Sequence, residues 1–224
     1  APKSNMSKQT IAAVFDVDGT LIAGASLEAR FISFLWRYGE ITARDLARLS
    51  IGAWQAIIAG RSPIRANKAY LCGKDKERMK LIAEDCFHQV VKRQLLPRAV
   101  ERLRWHQESG HSTTLLSGSL DLILEPLASH LGVNAYVGTK PQTDGDHLTG
   151  QIAGEHPYSN AKVTCLNSLC TNYSFDLSRS FAYANHYTDR YLLATVGNPV
   201  AANPDRRLCH FAQRHGWLIE DFIN

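Results

Sequence analysis

The run Ile11-Ala-Ala-Val-Phe15 contains no polar residue, and it leads directly into Asp16-Val17-Asp18-Gly19. A strand with one face in water alternates apolar and polar side chains. A run without polar positions is buried on both faces, as in the interior of a parallel sheet. Parallel neighbours need long crossover connections, normally helices, so this segment points to an α/β architecture with helices on both sheet faces. Ligands in such sheets bind beyond the carboxyl ends of the strands. Asp16 and Asp18, two positions apart, leave the strand on one side at that end. Paired carboxylates there suit a divalent cation combined with nucleophilic or acid–base work.

The rest of the chain falls into two compositional regimes. Residues 11–17, 112–116, 135–138, 180–183 and the short 199–201 read as strands that alternate with helical patterns. An Asp144-Gly145 turn places a small hairpin within residues 140–154. Between the first strand and Pro97 no convincing strand occurs. Residues 26–38, 42–59, 62–70 and 74–93 show helical spacing instead, with Thr42-Ala-Arg-Asp45 and Ser62-Pro63 as starts and Gly39, Gly60 and Gly73 as stops. The expected organisation is an α/β, Rossmann-like parallel-sheet core from 1–21 and 97–224, interrupted by a helical unit over 22–96. The aromatics Phe31, Phe34, Trp36, Tyr38 and Trp54 are expected to form the core of that unit or to line a pocket.

Composition excludes several classes of function. The chain has 224 residues, 45% of them hydrophobic and 21% charged, the balance of an ordinary globular protein. A net charge of +4 helps attract a phosphorylated anion, but no Lys/Arg run with interleaved aromatics suggests a nucleic-acid partner. Five cysteines without a Cys-x-x-Cys pair suit reduced packing thiols, and a cytoplasmic address is expected. The segment before Met6 lacks the apolar core of a signal peptide, and no apolar stretch is long enough to span a membrane. Nine histidines invite a zinc reading, but His106/His111 and His210/His215 are five apart, out of register for one helix face. Nothing in the pattern sets the oligomeric state.

Further stations follow the first in order: Leu115-Leu116-Ser117-Gly118-Ser119, then Lys162, then Tyr183-Ala184-Asn185-His186-Tyr187-Thr188-Asp189. Val196 to Asp205 and Gly216-Trp217 complete the series. From about Ile11 to about Ile219 the chain resembles the haloacid dehalogenase superfamily of phosphohydrolases, in the branch that includes phosphoserine phosphatase. The resemblance implies a phosphatase with an α-helical cap in the first insertion position and a small phosphorylated metabolite as substrate. It implies Asp16 as nucleophile, forming an aspartyl-phosphate, and Asp18 as the acid and base. Lys162 would pair with Asp16 and the phosphoryl oxygens, which Thr20, Ser117 and Gly118 would help hold. Ser117 or Ser119 would equally serve to cap a helix over 120–130. Mg²⁺ would be bound by Asp16, Asp18, Asn185 and Asp189.

The fourth station departs from the family pattern, with Asn185 where an aspartate is usual and His186 where serine is common. An amide oxygen still ligates a hard cation, but one full charge is lost. Two unit charges ~4 Å apart interact by about 4 kcal/mol at an effective dielectric of ~20, enough to weaken a metal site without abolishing it. Two alternatives therefore accompany the phosphatase reading: a catalytically weakened binding or regulatory protein, and a phosphotransferase or mutase. For the leaving group, the glutamate that phosphoserine phosphatases carry after the first motif is absent, since Ala25-Ser26-Leu27 precedes the first acid, Glu28. Candidate substrate contacts are Ser26, Glu28, Arg61, Arg65 and Lys68.

Overall fold

Strand β1 (Ala12–Phe15) is wholly buried, as its unbroken apolar composition requires, and lies fourth in a seven-stranded sheet. The computed structural model describes residues 9–58 and 68–223. The other strands are β2 (Ser112–Leu120), β3 (Ala135–Asp144), β4 (His147–Ala153), β5 (Phe181–Ala184), β6 (Asn198–Ala202) and β7 (Leu218–Glu220), in the order β4-β3-β2-β1-β5-β6-β7. All pairings are parallel except the β3–β4 hairpin. In β1, Val14 stands between Thr114 of β2 and Ala182 of β5.

The helices are α1 (Leu27–Arg37), α2 (Ala43–Ile58), α3 (Lys76–Gln89), α4 (Pro97–Glu108), α5 (Asp121–Leu131), α6 (Asn160–Tyr173), α7 (Arg190–Leu193) and α8 (Arg206–His215). The strand period of two splits β1 between two apolar clusters. Ala13 and Phe15 belong to one, Ala12 and Val14 to the other. The first cluster also contains Phe31, Leu35, Met79 and Phe87, so the helical segment after β1 shares its core with one face of the sheet. Helix α1 packs against α3, α5 and β2, and α2 against the turn Ala69–Leu71.

Two sets of backbone bonds tie this segment to the sheet. The outgoing and returning connections pair with each other: Ala23 N–H donates to Gln94 at 3.1 Å and Leu96 N–H to Leu21 at 2.9 Å. Residues 68–76 dock on the hairpin. Lys68 N–H donates to Gly150, Gly73 N–H to Leu148, Leu148 N–H to Lys74 and Lys76 N–H to Asp146, all at 2.8–3.1 Å.

Local signals account for most boundaries. Thr42 and Asp45 form the reciprocal capping box at the start of α2, with Thr42 N–H on Asp45 Oδ2 at 2.9 Å and Asp45 N–H on Thr42 Oγ1 at 3.3 Å. Two expectations need correction, and two elements carry little sequence signal. Trp36, Tyr38 and Trp54 are 52, 53 and 66% exposed, whereas Phe31 and Phe34 are buried; Trp36 lies off the stripe of Leu27, Phe31, Phe34 and Leu35 that α1 turns inward. The edge strand β7 has no buried position to betray it, and α4 is too charged to announce itself as a core helix. Of the helix expected over 62–70, the described part is one 3₁₀ turn, Ala69–Leu71, while Gly60, Ser62 and Pro63 lie outside the described residues. No helix among the described residues is long and apolar enough to cross a membrane.

Candidate active site

At the carboxyl end of β1 the ladder continues one step further, with Asp16 N–H on the Tyr183 carbonyl at 2.9 Å. The chain then folds back, the Leu21 and Ile22 N–H groups both reaching the Val17 carbonyl. Gly19, at φ +79°, is required in this loop. A Cβ there would fall 2.0 Å from the Asn185 amide nitrogen. Asn203 Nδ2 holds the Gly19 carbonyl at 2.9 Å, while its own Oδ1 accepts from Phe222 N–H.

The neighbouring strand ends supply the other walls. From β2, Ser119 Oγ donates to Asp18 Oδ2 at 3.1 Å. Asp18 Oδ1 accepts from Leu27 N–H at 2.7 Å, so the first amide of α1 holds the second carboxylate. Neither Ser117 nor Ser119 caps α5, whose N-cap is Leu120 without a side-chain bond; Ser117 Oγ accepts instead from Ser119 N–H. From the first turn of α6, Lys162 Nζ reaches Asp16 Oδ1 at 2.7 Å and Asp189 Oδ1 at 3.0 Å. Asp189 is turned into the site by the 3₁₀ turn Tyr187–Asp189 after β5. Asp205, the N-cap of α8, accepts from Tyr187 N–H and lies 3.5 Å from His186 Nε2.

The helical segment forms the opposite wall. Ser26 caps α1 by accepting from Ala29 N–H. Glu28 accepts from Lys68 Nζ and from the Tyr70 hydroxyl. A cavity of about 290 Å³ results, lined by Asp16, Asp18, Ser26, Glu28, Lys68, Gly118, Ser119, Lys162, Asn185, His186, Asp189 and the stretch His156-Pro157-Tyr158 with Thr188.

Of the residues singled out from sequence, Thr20 and Ser117 are buried but do not border this cavity. The Gly19 and Thr20 N–H groups are taken up inside the loop by the Ile22 and Val17 carbonyls. Arg61 and Arg65 lie outside the described residues. The wall residues His156, Pro157 and Tyr158 escape a sequence reading because no spacing links them to the strand ends. What places them is Thr139, whose hydroxyl donates to the Gly118 carbonyl and bonds His156 Nδ1 at 2.6 Å.

Burial governs the electrostatics. Burial pushes Asp16 up to about 7, with Lys162 opposing and Asp189 and Asp18 adding to the rise. Asp18 is raised as well, first by burial, against the bonds from Leu27 and Ser119. For Lys162 burial works against the charge, but Asp16 and Asp189 outweigh it and hold the ammonium above its ordinary range. Three carboxylates thus face one ammonium at the strand ends, and Asp189 Oδ1 is buried without an aligned hydrogen-bond donor. Such an excess of anionic oxygens suits a hard divalent cation, with Asn185 supplying a neutral oxygen. His106 and His111 do meet, Nδ1 to Nδ1 at 2.8 Å, but His106 turns its other nitrogen to the Tyr183 hydroxyl. Among the described residues no three His, Cys, Asp or Glu side chains are arranged to hold a metal by themselves, so a cation at the strand ends would need neutral oxygens such as that of Asn185 as well.

The comparisons with known proteins bear on the family and the fold. Residues 13–194 match the haloacid dehalogenase-like hydrolase family model. The chain is 29% identical to the inhibition of morphological differentiation protein of Streptomyces azureus, over 97% of this chain and 80% of that one. It is 28% identical to phosphoserine phosphatase SerB1 of Mycobacterium tuberculosis, over 95% of this chain and 71% of that one. A Bordetella pertussis protein of unknown function superimposes with a TM-score of 0.82 at 25% identity, covering 96% of this chain and all of that one. A substrate-bound phosphoserine phosphatase shares the fold, with a TM-score of 0.63 at 17% identity over 96% and 94% of the two chains. The chain belongs to the haloacid dehalogenase-like hydrolase family and groups with its phosphatases.

Proposed function

We propose that the protein hydrolyses a small phosphomonoester in two steps through an aspartyl-phosphate on Asp16, with Mg²⁺ as cofactor. The observation that carries this reading is the buried Asp16–Lys162–Asp189 cluster at the strand ends, with Asp18 held beside it. Phosphoryl transfer demands positioning and charge neutralisation more than covalent chemistry. Lys162 orients the Asp16 carboxylate by its 2.7 Å bond and supplies positive charge to the phosphoryl oxygens. Asp18, fixed by Leu27 and Ser119, donates a proton to the leaving oxygen and later takes one from the attacking water. Its raised pKa favours the protonated form that the first step needs.

Asp16, the Asp18 main-chain carbonyl, Asn185 and Asp189 would hold the Mg²⁺, which neutralises charge on the phosphoryl oxygens when bound. Residues 22–96 act as a cap: Ser26, Glu28 and Lys68 border the cavity, and Asp16 is only 6% exposed. The paired connections at residues 21–23 and 94–96 serve as its hinge. The test is release of phosphate from p-nitrophenyl phosphate in excess Mg²⁺, followed by a panel of phosphorylated metabolites. An inert protein that still binds phosphomonoesters would move the reading to a binding role. Transfer to an added alcohol in preference to water would move it to a phosphotransferase.

A further inference from the structure

The cap side of the cavity carries one charged cluster, and it is closed on itself. Glu28, in the first turn of α1, accepts from the Lys68 ammonium at 2.7 and 2.5 Å and from the Tyr70 hydroxyl at 2.8 Å. Lys68 and Tyr70 are wholly buried, and the Lys68 backbone is pinned to the hairpin by its 3.1 Å bond to the Gly150 carbonyl. Among the described residues between 22 and 96, Glu28 and Lys68 are the only charged side chains on the cavity wall. A wall built to recognise a charged leaving group would present an uncompensated charge of the opposite sign. Here each charge is cancelled within the protein.

An ammonium brought to Glu28 would also face Lys68, and a carboxylate brought to Lys68 would also face Glu28. Like charges juxtaposed in a desolvated site are strongly disfavoured. Hydroxyl groups meet no such conflict. They donate to the lone pairs of the Glu28 carboxylate that Lys68 and Tyr70 leave open to the cavity. Building on the phosphatase reading above, we propose that the Glu28–Lys68 pair is a specificity device. It selects a phosphomonoester whose leaving group is uncharged and hydroxyl-bearing, and it rejects leaving groups carrying an ammonium or a carboxylate.

The experiment measures kcat/KM in saturating Mg²⁺ for glycerol 1-phosphate, phosphoethanolamine, phosphoserine and phosphoglycolate, with p-nitrophenyl phosphate as the reference ester. The wild type should favour glycerol 1-phosphate over each charged ester by about tenfold or more. Glu28→Gln leaves Lys68 uncompensated and should move the ratio toward phosphoglycolate. Lys68→Met leaves Glu28 uncompensated and should move it toward phosphoethanolamine. Ratios between substrates on one preparation do not depend on the fraction correctly folded, so a destabilised variant remains informative. A wild type that hydrolyses the aryl ester but prefers a charged substrate overturns this proposal and leaves the phosphatase reading intact. So do variants whose ratios stay fixed or shift in the same direction. A wild type inert on the aryl ester overturns both.

Discussion

Lys162→Met isolates the charge at the centre of the site. The methionine keeps most of the aliphatic stem and removes the ammonium, which lies 2.7 Å from Asp16 and 3.0 Å from Asp189 with all three groups almost fully buried. Breaking a buried pair from one side costs about 3–5 kcal/mol, because the remaining charge has lost both water and partner. Each kcal/mol lowers Tm by about 2–4 °C in a protein of this size, so a fall of about 6–20 °C is expected in chelator near pH 8. Acid should recover part of the loss, since two facing carboxylates without their cation take up a proton readily. Mg²⁺ should recover part of it too, by supplying positive charge to the same oxygens. Urea denaturation and thermal melts of both proteins, with chelator or Mg²⁺ and at two pH values, provide the measurement. A difference below about 1 kcal/mol in chelator would refute the reasoning, since that is the value of an exposed pair. A large loss that ignored both pH and Mg²⁺ would assign Lys162 to packing instead.

Other outcomes follow from the same geometry. Asp16→Asn should fold and abolish turnover, and mass spectrometry of acid-quenched reactions should find phosphorylated wild type but no phosphorylated mutant. Asp16 carries a pKa raised from 3.8 to about 7 in the folded state, so folding retains a proton that the unfolded chain gives up. In chelator its contribution to stability is therefore complete below 3.8 and is lost as pH rises through about 7, a slope that should be absent from Asp16→Asn. Asp18→Asn should slow both formation and breakdown of the intermediate and flatten the pH–rate profile, as read by stopped-flow release of the alcohol and of phosphate. Mg²⁺ activation should need less metal in Asn185→Asp and more in Asp189→Asn than in the wild type. Unchanged or weaker activation of Asn185→Asp would show a site tuned around the amide.

The central strand was readable because burial on both faces leaves only apolar residues between Ile11 and Phe15. The capping box at Thr42 and the Asp144-Gly145 turn were readable for a similar reason, since the chemistry that forms them is local. The charged stations were readable as separate residues, but not their mutual arrangement. That Lys162 bridges Asp16 and Asp189 depends on α6 and the 3₁₀ turn after β5 meeting at one point. The bond from Leu27 to Asp18 was hidden because a backbone amide carries no sequence signature. The exposure of Trp36, Tyr38 and Trp54 was hidden because a large aromatic says nothing about which helix face has a partner.

The clamp on the loop after Asp16 has a consequence for the order in which the protein is made. Asn203 grips Gly19 across 184 residues of sequence, and Asn203 is itself held by Phe222. A ribosome delivers the two aspartates well before the residue that anchors their loop. Contacts this distant form late, after the sheet that brings them together. A nascent chain thus carries Asp16 and Asp18 through the synthesis of residues 20–203 without the clamp that sets their loop. Arrest-stalled chains released from the ribosome before residue 203 should fold β1 into a partial sheet and remain without turnover.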